Sequence, residues 1–164
     1  MGLMWKTAAG IFLLDQITKW FAVQWMDLKN LGSIDFWPPY ISFRMAWNQG
    51  INFGLFAGSG EFTRWVLIVV AVAISGLVVW WVRSEKDNTF AKIFGGILIG
   101  GAVGNIVDRL YYGAVADFLN MSCCGFENPY VFNVADIAIF VGAIGLVIFT
   151  GGKDKQPPAK GKTG

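Results

Sequence analysis

Long apolar runs separated by shorter polar segments dominate this sequence. Three of them cover residues 65–82, 90–107 and 134–149. Each has about enough residues to cross a bilayer core as a tilted helix or with local thinning of the bilayer. A fourth run, residues 3–26, carries Asp15 and Lys19 near its middle, where a helix places them on one face as an ion pair. The pattern therefore predicts four transmembrane helices.

The polar segment between the first two runs is too long for a simple connection. Residues 40–47 alternate as in a β-strand, and residues 51–57 follow across Asn48, Gln49 and Gly50. This pattern predicts a small β-hairpin or sheet that rests on the membrane surface. Asn48 has two interpretations: a turn residue, which the spacing favours, or a hydrogen-bonding partner for an extended peptide.

Composition supports placement in a membrane. Of 164 residues, 55% are hydrophobic and 15% charged, and the mean hydropathy is +0.52. The length suits one domain. A net charge of +2 without a basic patch argues against nucleic acid as a partner.

Basic residues predict the orientation of the helices. The N-terminus, the second loop and the tail carry Lys6, Arg83, Lys86, Lys92, Lys153, Lys155, Lys160 and Lys162. The other two loops carry Lys29, Arg44, Arg64 and Arg109. By the positive-inside rule, both termini are cytoplasmic, and the hairpin lies on the outer side. We expect one membrane-embedded domain over residues 1–152 and a disordered basic cytoplasmic tail over residues 153–164.

Two aspartates are candidates for acid and base chemistry in a chain that has no histidine. Asp117 lies in an apolar stretch, and Asp136 opens the last apolar run. If the two lie close together, burial and repulsion let one hold a proton while the other is ionised. Alternatively, Asn133 caps the last helix with Asp136 at its third position, and Asp117 is a loop residue.

The third apolar run ends in a segment that combines small and polar residues, GGAVGNIVDRL at 100–110. Its glycines allow another helix to approach closely. Asn105, Asp108 and Arg109 share one helical face, and we expect Arg109 to pair with Asp108 or another nearby carboxylate. Asp108 fits a polar clamp between helices and a substrate contact equally well, whereas substrate contact is favoured for Asn105 and Arg109.

The two cysteines, Cys123 and Cys124, are adjacent. Neighbouring cysteines rarely form a disulfide without strain, so we expect none. Two cysteines without histidine cannot complete a tetrahedral zinc shell, so we also expect no metal site.

Five segments follow one another along the chain: DQITK (15–19), WNQGINFG (47–54), GGAVGNIVDR (100–109), VADF (115–118) and FNVAD (132–136). In this order they resemble the signature motifs of lipoprotein signal peptidases, the type II signal peptidases of bacteria. The resemblance implies an aspartic-type endopeptidase of the bacterial cytoplasmic (inner) membrane, with its site toward the extracytoplasmic face. It would cleave prolipoproteins before a diacylglyceryl-modified cysteine, without a cofactor, and we expect a monomer surrounded by membrane lipid.

The resemblance also implies roles for single residues. Asp117 and Asp136 would be the catalytic pair that activates a water molecule. The substrate-binding positions would be Asn48, Asn105, Arg109 and Asn133. The supporting positions would be Asp15, Lys19, Gly50 and Asp108.

Two other functions remain open from the residues alone. A small proton-coupled transporter could use Asp15, Lys19, Asp108 and Asp136 as a relay. Against it, the acids cluster toward the outer boundary and no inverted repeat is visible. A non-catalytic assembly factor that holds a partner with its outer loop is the second alternative.

Overall fold

Helices account for most of the computed structural model, which describes residues 1–50, 60–85, 87–123 and 128–151. The helices are α1 Gly2–Trp20, continued by a π-helical segment Phe21–Trp25, then α2 Leu28–Leu31, α3 Gly60–Ser84, α4 Thr89–Tyr112 and α5 Val134–Thr150. The four predicted apolar runs are thus confirmed as helices. By length and composition, α3 and α4 are able to cross a membrane, and α5 is apolar but has only 17 residues. The count of four spans stays a prediction.

A three-stranded antiparallel sheet accompanies the helices, in the order β1 Ser33–Trp37, β2 Ile41–Asn48 and β3 Val115–Met121. The strand predicted over residues 40–47 is confirmed as β2, whereas the strand predicted over residues 51–57 lies outside the described residues. The sequence did not predict β1 or β3. Pairing of Ala46 with Asp117 and of Asn48 with Val115 brings the end of β2 beside the start of β3.

Glycines allow α4 to pack closely between α1 and α5. A Cβ atom at Gly100 would lie 2.5 Å from the backbone oxygen of Ala8 on α1. At Gly101 it would lie 2.5 Å from the backbone oxygen of Ala135 on α5. Since nothing larger than hydrogen fits at these positions, the expected role of the glycines as helix contacts is confirmed. The packing brings the polar residues of α1 and α4 beside the start of α5.

An apolar cluster under the sheet sets the direction of β3. Phe118 packs there with Ala22 and Leu28, and its ring stacks on Phe43 with centroids 6.4 Å apart. Successive side chains of a strand point to opposite faces. Burial of Phe118 in this cluster therefore turns Asp117 toward the helices.

Cys123 departs from its expected state, because it is disulfide-bonded in the structure. Cys124, the other cysteine of the sequence, lies outside the described residues. The expectation of no disulfide gave weight to strain between neighbours. Disulfides form in oxidising compartments, and the predicted outward position of this loop is such an environment.

Candidate active site

Asp117 and Asp136 are joined by one side chain, that of Asn133. Asp117 lies on β3 and is 2% exposed, and Asp136 is half-buried in the first turn of α5. The amide nitrogen Nδ2 of Asn133 donates to Oδ1 of Asp117 at 2.6 Å. Its Oδ1 accepts the backbone N–H of Asp136 at 2.9 Å. The structure therefore brings the two predicted carboxylates into one hydrogen-bonded site.

The helix cap predicted for Asn133 and Asp136 is also present. Oδ2 of Asp136 accepts the backbone N–H of Asn133 at 3.3 Å, which completes a capping box. The positive end of the helix dipole stabilises a carboxylate at this position. The cap and the paired site are therefore compatible, because Asn133 uses its carbonyl oxygen for the cap and its amino group for Asp117.

The remaining carboxylate oxygens of the pair receive hydrogen bonds from two further amides. Asn105 on α4 donates to Oδ1 of Asp136 at 2.9 Å, and Asn48 at the end of β2 donates to Oδ2 of Asp117 at 3.0 Å. All four oxygens of the two aspartates thus accept an N–H group. Such bonds fix the carboxylates in position.

The turn predicted after β2 begins at Asn48. Oδ1 of Asn48 accepts the backbone N–H of Gly50 at 2.9 Å. Gly50 has φ +101°, a conformation that other residues rarely adopt, and a Cβ there would lie 2.5 Å from Leu67 on α3. Gly50 therefore lets the chain turn at the site while Asn48 keeps its contact with Asp117.

A buried ion cluster lies beside the pair and is centred on Lys19. Its Nζ is 2.8 Å from Oδ2 of Asp15, 2.8 Å from Oδ2 of Asp108 and 3.1 Å from Oδ1 of Asn105. The predicted pair of Asp15 and Lys19 is confirmed. The two acids also bind backbone next to the catalytic candidates: Asp15 accepts the N–H of Ala135 at 2.9 Å, and Asp108 accepts the N–H of Ala116 at 3.2 Å. The cluster thus holds both α5 and β3.

Gln16 belongs to this cluster, although it was not among the predicted site residues. Its Nε2 donates to Asp15 at 3.2 Å and to Asp108 at 3.1 Å, so it links α1 with α4. Its place in DQITK, between Asp15 and Lys19, is the signal that could have revealed it.

Arg109 departs from its expected pairing. Among the described residues it forms no ion pair with Asp108 or with another carboxylate, and its guanidinium donates to the backbone oxygen of Asn105 at 3.3 Å. Neighbouring side chains on a helix point in different directions, so Lys19 reaches Asp108 while Arg109 faces elsewhere.

A groove between α3, α4 and α5 leads to the site. It encloses about 210 Å³ and is lined mainly by apolar side chains, among them Leu67 and Ile139. Asn105 and Arg109 also line it, and Asn105 is the residue that donates to Asp136. The groove thus has an apolar wall and a polar end next to the two carboxylates.

Burial changes the acidity of Asp117. Loss of hydration raises its pKa to about 6, and the nearby charge of Asp136 acts in the same direction. Hydrogen bonds from Asn48 and Asn133, together with the charge of Lys19, act in the opposite direction. With this pKa, Asp117 binds or releases a proton close to neutral pH, as acid and base catalysis requires.

Known proteins share this sequence and this fold. Residues 7–151 match the family described as signal peptidase (SPase) II. The lipoprotein signal peptidase of Rhodopseudomonas palustris (strain ATCC BAA-98 / CGA009) is 41% identical, over 85% of this chain and 87% of the relative. That of Methylobacterium sp. (strain 4-46) is 39% identical, over 88% and 86%. A solved structure described as a bacterial membrane enzyme is 26% identical, with a TM-score of 0.75 over 94% of this chain and 95% of the other.

Proposed function

This chain belongs to the signal peptidase II family, and we propose that Asp117 and Asp136 are the aspartates with which it cleaves its substrates. It is an aspartic-type peptidase that removes signal peptides from prolipoproteins. The family therefore argues against the transporter and the assembly factor. The observation that carries the proposal is the Asn133 side chain, which holds both carboxylates in one site.

The proposed reaction uses one water molecule and no covalent intermediate. Ionised Asp136 takes a proton from the water, whose oxygen attacks the carbonyl carbon of the scissile peptide bond. Protonated Asp117 donates its proton to the carbonyl oxygen, as the pKa of about 6 allows near neutral pH. The resulting diol then collapses: the bond between carbon and nitrogen breaks, the leaving amine takes the proton held by Asp136, and Asp117 takes back a proton from a hydroxyl of the diol.

The groove between α3, α4 and α5 is the proposed substrate site. Its apolar wall suits the lipid-modified part of a diacylglyceryl prolipoprotein, which diffuses laterally in the membrane. Asn105 and Arg109 at its polar end would donate hydrogen bonds to the peptide backbone beside the scissile bond. Asn48 and Asn133 complete the proposed binding residues.

The proposed arrangement in the bacterial inner membrane has four spans, with α1, α3, α4 and α5 as the spanning helices. Two structural facts support it: the sheet, the end of α4 and the start of α5 lie together, and all three contribute to the site. The distribution of lysine and arginine supports a cytoplasmic location for both termini and an extracytoplasmic one for the site. We propose that the chain works as a monomer in contact with membrane lipid.

Replacement of either aspartate tests the catalytic pair. Purified Asp136→Asn and Asp117→Asn proteins should cleave a diacylglyceryl-modified prolipoprotein at least about a hundredfold more slowly, because one proton-transfer group is lost. Asp35→Asn, at an exposed position on β1, is the matched control and should keep the normal rate. Normal cleavage by Asp136→Asn would refute the proposal.

A metal chelator tests the absence of a metal from the mechanism. Within the described residues, no group of three or more His, Cys, Asp or Glu could hold a metal ion. We expect the cleavage rate to be unchanged in EDTA. A loss of activity that zinc restores would contradict a mechanism based on the two aspartates alone.

A further inference from the structure

Lys19 is a buried cation that the proposed reaction does not use directly. It is 5% exposed, and its three N–H donors match three acceptors, on Asp15, Asp108 and Asn105. We propose that Lys19 is a positioning residue that fixes the direction of the hydrogen bond from Asn105 to the catalytic carboxylate of Asp136. This inference rests on the proposed role of the aspartate pair.

The side chain of Asn105 has one favourable orientation beside Lys19. Its Oδ1 accepts from the ammonium of Lys19 at 3.1 Å and from Nδ2 of Asn133 at 3.3 Å. Its Nδ2 donates to Asp136 at 2.9 Å. Rotation of the amide by half a turn would set its amino group against two donors and its oxygen against a carboxylate. Because an ammonium can only donate, Lys19 excludes that orientation.

The position of Lys19 is itself fixed from two helices. Asp15 lies one turn before it on α1, and Asp108 lies on α4. Gln16 donates to both carboxylates and links them on the other side. An ammonium held by two buried carboxylates has little freedom to move, so its bond to Asn105 is preorganised.

The consequence is an asymmetry between the two aspartates. Asp136 receives its hydrogen bonds from the backbone N–H of Asn133 and from Asn105, and neither group can turn to accept a proton. Asp117 receives its bonds from Asn133 and from Asn48, whose Oδ1 accepts the backbone N–H of Gly50. Among the described residues, the ammonium of Lys19 bonds to a donor of Asp136, which is Asn105, and to neither donor of Asp117, so Lys19 acts on the Asp136 side of the pair.

A double-mutant cycle tests whether Lys19 acts through Asn105. Purified Lys19→Met, Asn105→Ala and the double variant would be assayed for cleavage of a diacylglyceryl-modified prolipoprotein. Lys19→Met should lower kcat about 10- to 100-fold, as expected for a hydrogen bond to a charged group. Any change in KM should not exceed that of Asn105→Ala, because Lys19 affects the substrate only through Asn105. The double variant should have the kcat of Asn105→Ala, since no amide remains to be oriented.

The controls separate positioning from folding. Lys6→Met removes an exposed lysine from the same helix and should keep the wild-type kcat. If Lys19→Met does not fold, every protein of the cycle is made with the additional substitution Asp15→Asn. Loss of the Asp15 charge then accompanies loss of the Lys19 charge, and the asparagine keeps an acceptor for the N–H of Ala135.

Two results would overturn the inference: a wild-type kcat in Lys19→Met, or losses in the double variant that multiply as for independent sites. Neither result would affect the aspartate pair, which Asp136→Asn tests separately. A lower kcat in Lys19→Met, together with equal kcat values in the double variant and in Asn105→Ala, supports the inference.

Discussion

Replacement of Asp117 by asparagine should make the stability of the protein less dependent on pH. The pKa of Asp117 is about 6 in the folded protein, because the side chain is buried, against 3.8 for an ordinary aspartate. A tenfold difference in proton affinity corresponds to about 1.4 kcal/mol, so the whole difference corresponds to about 3 kcal/mol. The asparagine side chain has no ionisable group, and this contribution disappears in the variant.

The sign follows from the proton affinities of the two states. Since the folded protein holds the Asp117 proton more tightly than the unfolded chain, this contribution to stability is fully present below pH 3.8 and is lost as the pH rises through about 6. From pH 4 to pH 8 the wild-type protein should therefore lose roughly 2.4 kcal/mol of unfolding free energy relative to Asp117→Asn, because an ordinary aspartate is already partly ionised at pH 4. Any change in hydrogen bonding to Asn48 or Asn133 adds a constant that does not vary with pH.

The assay is denaturant unfolding in detergent micelles at several pH values between 4 and 8, followed by near-UV circular dichroism. Asp35→Asn, which replaces an exposed aspartate on β1, is the control and should differ from wild type by about 0.5 kcal/mol or less at every pH. If the difference between wild type and Asp117→Asn is the same at pH 4 and pH 8, the argument that burial raises the pKa of Asp117 is wrong.

Further predictions concern packing and capping. Gly104→Ala should lower the unfolding free energy by about 1–3 kcal/mol and slow cleavage, because a Cβ there would collide with the carboxylate of Asp15. Gly76→Ala is the control: a Cβ there would have no other atom within 4 Å, so the substitution should be neutral or stabilising in the same unfolding assay. Asn88→Ala should lower the melting temperature in micelles, because it removes the cap of α4, worth about 1 kcal/mol, and the hydrogen bond to the backbone oxygen of Phe149 at 2.9 Å. Cleavage should not slow, because neither contact belongs to the candidate active site. Equal stability of Gly104→Ala and Gly76→Ala, or slowed cleavage by Asn88→Ala, would contradict these explanations.

Local patterns were sufficient to predict the four long helices and one strand. The apolar runs became α1, α3, α4 and α5, because a run of apolar residues with helical length has few other ways to bury its backbone polar groups. The alternation of residues 40–47 gave β2. These predictions succeeded because each depends on residues close together in the sequence.

Strand β3 shows what such patterns miss. Its burial pattern does not alternate, since residues 115–118 are all buried, so no period of two marks it as a strand. It becomes a strand by pairing with β2, about 70 residues earlier in the chain. β3 also carries Asp117, so the position of a proposed catalytic residue depended on a contact that the local sequence does not encode.

The sequence by itself determined which segments are apolar helices and which polar residues, matched to the family motifs, form the candidate site. It also determined two local contacts, the ion pair of Asp15 with Lys19 and the capping box of α5, because residues three or four apart meet within one helix. Only the tertiary structure decided the longer-range partners: Asp108 binds Lys19 instead of Arg109, and Asn133 joins Asp117 to Asp136. The physical reason is that a buried polar group must find a hydrogen-bonding partner, and which partner is within reach depends on how distant segments pack.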